Sequence, residues 1–295
     1  MKKLICFLGI ISSLALWGCD SNALKSLADD SSDAASIEEA RMALNDGDYQ
    51  GAIDILEPGH DSSNPDVEAT RIIASAYMGK AGFDLTYIIE NSGDSDNESF
   101  DVIASALSLH ITGDLARASS GEAAGEEASA ARYLAYASLN TFIHYLESAQ
   151  AYLTDLVDTY GNDDDTVQLG MVSAVHFILK VGLESADLMT TNVPVNKAAY
   201  REVFPEHGDT DWGILLTSLA TNIHNDTDLV QALRGDIAAV DNAVAVLNAR
   251  MGSDEEVAEK FSEFLSELLG GGEIDTFDGA DAANYIGSNL LEYQI

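Results

Sequence analysis

Apolar residues recur at steps of three and four along the second half of the chain, the spacing of a helix that buries one face. Over residues 166–190, these steps join Val167, Met171, Val175, Ile178, Gly182, Ala186 and Met189. Similar steps predict helices over about 123–160, 229–251, 257–268 and 279–291, with a break at 161–165. Strand-like alternation is rare, and the four prolines fall between periodic segments. The pattern therefore predicts an all-α fold built as a larger irregular bundle or solenoid of long antiparallel helices.

The N-terminal third carries a shorter repeating pattern. Residues 36–57 read SIEEARMALNDGDYQGAIDILE, with a turn glycine at Gly47, a tyrosine at Tyr49 and a small residue at Ala52. A weaker copy, ASAYMGKAGFDL, places Gly82 35 residues after Gly47. This spacing resembles the period of tetratricopeptide (TPR) repeats, which is about 34 residues. The resemblance covers roughly residues 34–91 and implies TPR-like helical hairpins packed on the larger bundle; ordinary hairpins with Ala-rich contacts are the alternative.

The first residues have the order of an export signal. Two lysines precede an apolar run over 4–16, which is shorter than a membrane-spanning helix. Residues 16–19, Leu-Trp-Gly-Cys, then resemble the lipobox of bacterial lipoproteins, although Trp17 is bulkier than the residue usual there. The resemblance implies cleavage after Gly18 and lipidation of Cys19, with palmitate-type acyl chains anchoring the protein to the cell membrane or outer membrane, facing the periplasm. A secretory signal with a chance cysteine is the alternative.

These patterns divide the chain into four parts. Residues 1–18 are the predicted signal peptide, and the small, polar residues 19–35 are a predicted flexible tether. Residues 36–118 hold the TPR-like helical region. Residues 119–295 form an all-helical C-terminal region that we expect to make one continuous body with it.

The chain is strongly acidic. It has 14 Lys and Arg against 50 Asp and Glu, and loss of the two signal lysines changes its formal net charge from −36 to −38. Such a surface repels nucleic-acid phosphates and anionic lipid headgroups, so no nucleic-acid partner is expected. The acidity has two possible roles. It could recruit cations or a basic partner, or it could keep the surface solvated and resistant to aggregation.

Catalytic motifs are absent from the sequence. It contains no G-x-S-x-G nucleophile motif and no phosphate-binding glycine loop. A lipidated Cys19 cannot act as a thiol nucleophile. We therefore expect neither enzyme activity nor a cofactor.

Metal-ligand spacings are also weak. Glu57 and His60 have an E-x-x-H spacing, but a Pro-Gly pair between them breaks a helix. His144 and Glu147 are predicted to form a local surface pair, and His176 is predicted to be a core histidine with its hydrogen bonds satisfied. The acid clusters lack the spacing and the glycine of an EF-hand, so no metal site is predicted, and calcium binding by these clusters is the alternative. These clusters lie at 94–98, 162–165 and 209–211.

One long segment is a candidate binding loop. Residues 193–213, VPVNKAAYREVFPEHGDTDWG, hold two of the four prolines and one of the two tryptophans. Long loops on helical scaffolds often carry binding residues. The candidate ligand- or partner-binding residues are Lys197, Tyr200, Arg201 and Trp212. The alternative is a structural crossover whose aromatic side chains fill the core.

The layout favours a non-catalytic, protein-binding scaffold at the cell envelope, because stacked hairpins offer an extended surface. It also resembles the TatT-type lipoproteins that accompany TRAP transporters, and that resemblance implies periplasmic handling of a small acidic or apolar ligand. A carboxylate-dependent hydrolase and an outer-membrane assembly factor are two further alternatives. The sequence specifies neither the envelope partner nor the oligomeric state.

Overall fold

A computed structural model describes residues 33–83, 126–192, 212–250 and 256–292 of the chain. Within these ranges the regular elements are nine α-helices and short 3-10 turns, with no strand, which confirms the predicted all-α fold. The helices are α1 (Asp33–Asn45), α2 (Tyr49–Leu56), α3 (Val67–Lys80), α4 (Glu126–Tyr160), α5 (Asp163–Asn192), α6 (Trp212–Asn225), α7 (Thr227–Arg250), α8 (Glu256–Leu269) and α9 (Gly279–Glu292). No helix of the described part is long and apolar enough to cross a membrane.

A left-handed glycine joins α1 to α2. Gly47 has a φ of +78°, a conformation that residues with side chains rarely adopt. Asp48 then caps α2, because its carboxylate accepts a hydrogen bond of 3.0 Å from the backbone N–H of Gly51. The ring of Tyr49 lies against Gly79 of α3, where a β-carbon would overlap it. These residues hold α1, α2 and α3 together. The resemblance to tetratricopeptide repeats stays a prediction.

Helix α3 contributes to two apolar cores. The smaller core lies among α1, α2 and α3, and its fully buried members include Ala40, Ala52, Ile53, Ile73 and Ala76. Alanine projects only a methyl group, so the backbones can pack closely. The other face of α3 contributes Ala74 and Met78 to the larger core, which Ala81 and Phe83 extend just beyond the helix. Helix α3 therefore joins the N-terminal helices to the rest of the body.

The larger core is centred on α5. This helix packs between α4 and α7, so residues 171–179 are all buried. Apolar residues of both neighbours face it, among them Ile143, Leu146 and Leu153 of α4, and Leu233, Ile237 and Val240 of α7. Gly170 of α5 meets Ala243 and backbone atoms of α7, and a β-carbon at Gly170 would overlap them. The two helices therefore approach unusually closely at this point.

Aromatic side chains pack the C-terminal helices onto α5. The ring of Phe177 meets those of Phe264, Phe277 and Tyr285 edge-on, with centroids 6.1, 5.8 and 6.2 Å away. The first residue of α9, Gly279, lies against the backbone of α6, where a β-carbon would not fit. These contacts close the larger core at its C-terminal end.

Two connections differ from the prediction. Only Gly161 and Asn162 join α4 to α5, because Gly161 turns the chain with a φ of +61° and α5 begins at Asp163. The acidic run predicted as a break is therefore the first turn of α5, where carboxylates stabilise the positive end of the helix dipole. Trp212 was predicted to lie in the loop over 193–213, but it is the first residue of α6.

Candidate functional site

A histidine and an aspartate form a buried pair where α4, α5 and α7 meet. Nδ1 of His176 is 2.7 Å from Oδ2 of Asp236, and the two side chains are 3 % and 4 % exposed. The amide nitrogen of Gln150 donates to Oδ1 of Asp236 at 2.7 Å and to Oγ of Ser173 at 2.8 Å. Because Gln150 lies on α4, His176 on α5 and Asp236 on α7, this hydrogen-bonded group ties three helices together.

The second ring nitrogen of His176 faces the outer edge of this group. Nε2 has no hydrogen-bond partner among the described residues and lies 3.6 Å from Oε1 of Glu147, a separation typical of an ion pair rather than a hydrogen bond. Nζ of Lys180 contacts the same oxygen at 2.7 Å. The prediction that His176 lies in the core is correct, but its hydrogen bonds are only half satisfied. We use the name His176 network for six side chains: His176, Glu147, Lys180, Asp236, Gln150 and Ser173.

The charges in the His176 network shift one another's pKa values. Burial alone lowers the pKa of His176, but the contacts with Asp236 and Glu147 outweigh that effect and raise it to about 9. Contact with His176, followed by Lys180, lowers the pKa of Glu147 to about 2. Burial raises the pKa of Asp236 itself, although the contacts with His176 and Gln150 oppose that effect.

Ion pairs and hydrogen bonds hold the members of this network together. When it is protonated, an imidazole donates from both of its ring nitrogens. Both nitrogens of protonated His176 face carboxylates. Among the described residues, no group of three or more His, Cys, Asp or Glu is placed to hold a metal ion. The contacts of the network link α4, α5 and α7.

A second polar group joins the N-terminal helices to α4. Oε1 of Glu57, in the 3-10 turn after α2, accepts hydrogen bonds of 2.7 Å from the hydroxyls of Tyr77 and Tyr152. The two tyrosine rings stack with centroids 5.8 Å apart, and His60 packs edge-on against Tyr152 while binding Asp155 at 3.0 Å. Burial and the Glu57 carboxylate raise the pKa of Tyr77 to about 12. Glu57 and His60, whose E-x-x-H spacing was only a weak indication of a metal site, therefore both contact α4.

The acidic run at the start of α5 is paired with two guanidinium groups. Arg71 of α3 binds Asp165 through two hydrogen bonds of 2.7 and 2.8 Å, and Asp165 is only 2 % exposed. Arg250 of α7 binds Asp163 and Asp164. This run therefore anchors α3 and α7 to the first turn of α5.

The described cations are all engaged within the molecule. Every lysine and arginine whose side chain the structure describes makes an ion pair or hydrogen bond to the protein itself, and these residues are Arg41, Arg71, Lys80, Lys180, Arg234, Arg250 and Lys260. Many carboxylates remain exposed. The described surface therefore presents negative charge.

An open cleft lies beside the turn between α6 and α7. It has a volume of about 540 Å³ and is lined by Glu184, Asn222, Asn225, Asp226, Thr227 and Asp228. Its carboxylates repel anions, and its polar lining gives an apolar ligand little surface to contact.

The residues predicted to bind a partner are not brought together by the described part of the chain. Lys197, Tyr200 and Arg201 lie outside the described residues, as does Cys19. Trp212 begins α6. The acid clusters at 94–98 and 209–211 also fall outside the described ranges. His144 and Glu147 form the predicted local pair, with Nδ1 3.8 Å from a carboxylate oxygen.

Sequence reasoning missed the partners of His176. The sequence patterns described above did not single out Asp236. It lies three residues after Leu233 and four before Val240, so it falls on the buried face of the same helix. Because a buried carboxylate requires a partner, this position was a usable signal. Nothing in the spacing pointed to His176 as that partner.

Comparisons with protein-family models, curated proteins and solved structures found no match.

Proposed function

We propose that this protein is a lipid-anchored scaffold of the cell envelope that binds another protein without catalysis. The observation that carries the proposal is the attachment of α1, α2 and α3 to the body through Glu57, its two tyrosines, and the ion pair between Arg71 and the buried Asp165. A surface held in place in this way loses little conformational freedom when a partner binds. The TPR-like turn around Gly47 supports the same function.

The lipobox-like residues supply the location in this proposal. A lipid on Cys19 would hold the chain at a membrane surface, and helix α1 begins at Asp33. At about 3.5 Å per residue, the chain between them reaches at most roughly 50 Å. The helices would therefore meet partners that are in the membrane or close to it.

The acidic surface distinguishes between partner classes. The TatT-like alternative implies a small acidic or apolar ligand, whereas the open cleft is lined by Glu184, Asp226 and Asp228 together with amides and a hydroxyl. Such a lining suits a cationic group. The protein-binding function is therefore favoured over the handling of an anionic ligand.

Crosslinking in the native cells tests this function. The full-length chain would carry a C-terminal tag, be crosslinked with formaldehyde, and be purified from solubilised membranes for mass spectrometry. We expect one reproducible envelope protein with the wild type and a large loss of that protein with Cys19→Ser. Capture of a transporter subunit would instead favour the TatT-like function. No enriched protein, with the crosslinker active on an unrelated lipoprotein, would contradict both.

A further inference from the structure

Helix α1 exposes a large apolar side chain to solvent. Met42 is 56 % exposed, whereas nearly all other large apolar side chains of the described residues are at least partly buried. Tyr160 is the other exposed one, at 48 %, and its hydroxyl donates to the backbone carbonyl of Pro65. Methionine is flexible and polarisable, which suits contact with a partner of irregular shape.

Carboxylates lie around Met42, on α1 and on the turn that follows it. The neighbouring positions at three- and four-residue steps are all exposed, and they are Glu38, Glu39, Asn45 and Asp46. We call these residues and Met42 the α1 face. The nearby cation, Arg41, is engaged by Glu38 and by Glu68 of α3, so its charge is already compensated. Among the described residues, no cation forms an ion pair with Glu39 or Asp46.

We propose that the α1 face docks a basic segment of the partner protein, which pairs with these carboxylates and covers Met42 with an apolar side chain. This inference rests on the proposed scaffold function and names the surface that performs it. Lysine and arginine are well suited to the α1 face, because their aliphatic stems can lie over Met42 while their charged ends reach Glu39 and Asp46.

Charge selects this occupant over two others. A second copy of the chain carries the same net charge, −38 after loss of the two signal lysines, so like charges oppose self-association through the α1 face. An anionic membrane surface is repelled for the same reason. A basic protein segment is attracted, and charge pairing at an exposed rim mainly speeds association and makes it depend on salt.

Site-specific photocrosslinking tests the α1 face. A benzophenone amino acid would replace Met42 in the full-length protein in its native cells, with the same replacement at Asn242, an exposed position of α7, as the control. We expect a light-dependent adduct from position 42 that maps to a basic segment of an envelope protein, and none from position 242. An adduct with lipid, with a second copy or with an acidic segment would overturn the inference.

Matched charge reversals separate specific docking from general attraction. Glu39→Lys with Asp46→Lys alters the α1 face, and Asp241→Lys with Glu259→Lys alters exposed carboxylates elsewhere by the same total charge. We expect the first pair to reduce the adduct by about tenfold and the second to leave it within about twofold. Equal losses from both pairs would overturn the inference. If Glu39→Lys with Asp46→Lys leaves the amount of formaldehyde-captured partner unchanged, the α1 face is not the docking surface. The scaffold function would still stand in that case.

Discussion

At the scale of single residues, His176 and Asp236 form a pair that is buried in an apolar environment. Removing a charge from water is costly, so a buried ion pair persists only when its partners are well placed. Asp236 receives hydrogen bonds from both His176 and Gln150, which meets that condition. The surrounding apolar pattern made His176 predictable as a core residue. Its partner was not predictable, because 60 residues separate the two in sequence.

The raised pKa of His176 predicts a loss of stability at alkaline pH. Its folded-state pKa of about 9 lies above the ordinary value of 6.5, so folding favours the protonated form. This contribution is fully present below pH 6.5 and is lost as the pH rises through about 9. Urea unfolding of the wild type should therefore give a free energy of unfolding that falls between these pH values.

Two histidine variants make this test specific. His176→Gln should be less stable than the wild type near neutral pH and should lose much of the decline toward pH 9. His224→Gln changes an exposed histidine, whose side chain is 69 % accessible, and should keep the wild-type pH dependence. Parallel pH profiles for wild type and His176→Gln would contradict the assignment.

At the scale of helices, periodicity located the buried faces better than the helix ends. The stripe predicted over 166–190 lies in α5 (Asp163–Asn192). The one over 229–251 lies in α7 (Thr227–Arg250) up to Arg250, and Met251 is outside the described residues. Capping side chains set the ends instead. For example, Asp226 accepts a hydrogen bond of 3.0 Å from the backbone N–H of Leu229 at the start of α7. The spacing of apolar residues contains no information about such caps. The predicted helix ends therefore differed from the observed ends by a few residues.

Two helical glycines should respond in opposite directions to substitution by alanine. Gly170→Ala would place a methyl group against Ala243 and the backbone of α7, so we expect a loss of about 1–3 kcal/mol in unfolding free energy. A methyl group at Gly235, inside α7, meets nothing within 4 Å. Gly235→Ala should therefore stabilise the protein by about 0.5–1 kcal/mol. Denaturant unfolding measures both values, and similar effects at the two positions would refute the close approach of α5 and α7.

At the scale of the whole molecule, long-range contacts decide how the N-terminal helices meet the body. The Arg71–Asp165 and Tyr152–Glu57 contacts join residues 94 and 95 positions apart in sequence. The spacing of apolar residues predicted the all-α class and most helices, because it depends only on nearby residues. It could not predict this attachment, because the contacting residues are far apart in sequence. The candidate binding loop was chosen for its composition, and of its four chosen residues only Trp212 lies in the described part, at the start of α6.

The lipid anchor on Cys19 is the claim on which the function depends most, because it determines which partners the protein can meet. Growing the native cells with an alkyne-labelled palmitate and isolating the tagged protein tests it directly. We expect the label on the wild-type chain at an N-terminal Cys19, with the protein in the membrane fraction, and no label on Cys19→Ser. An unlabelled wild-type protein that begins elsewhere and is released from membranes would contradict the account.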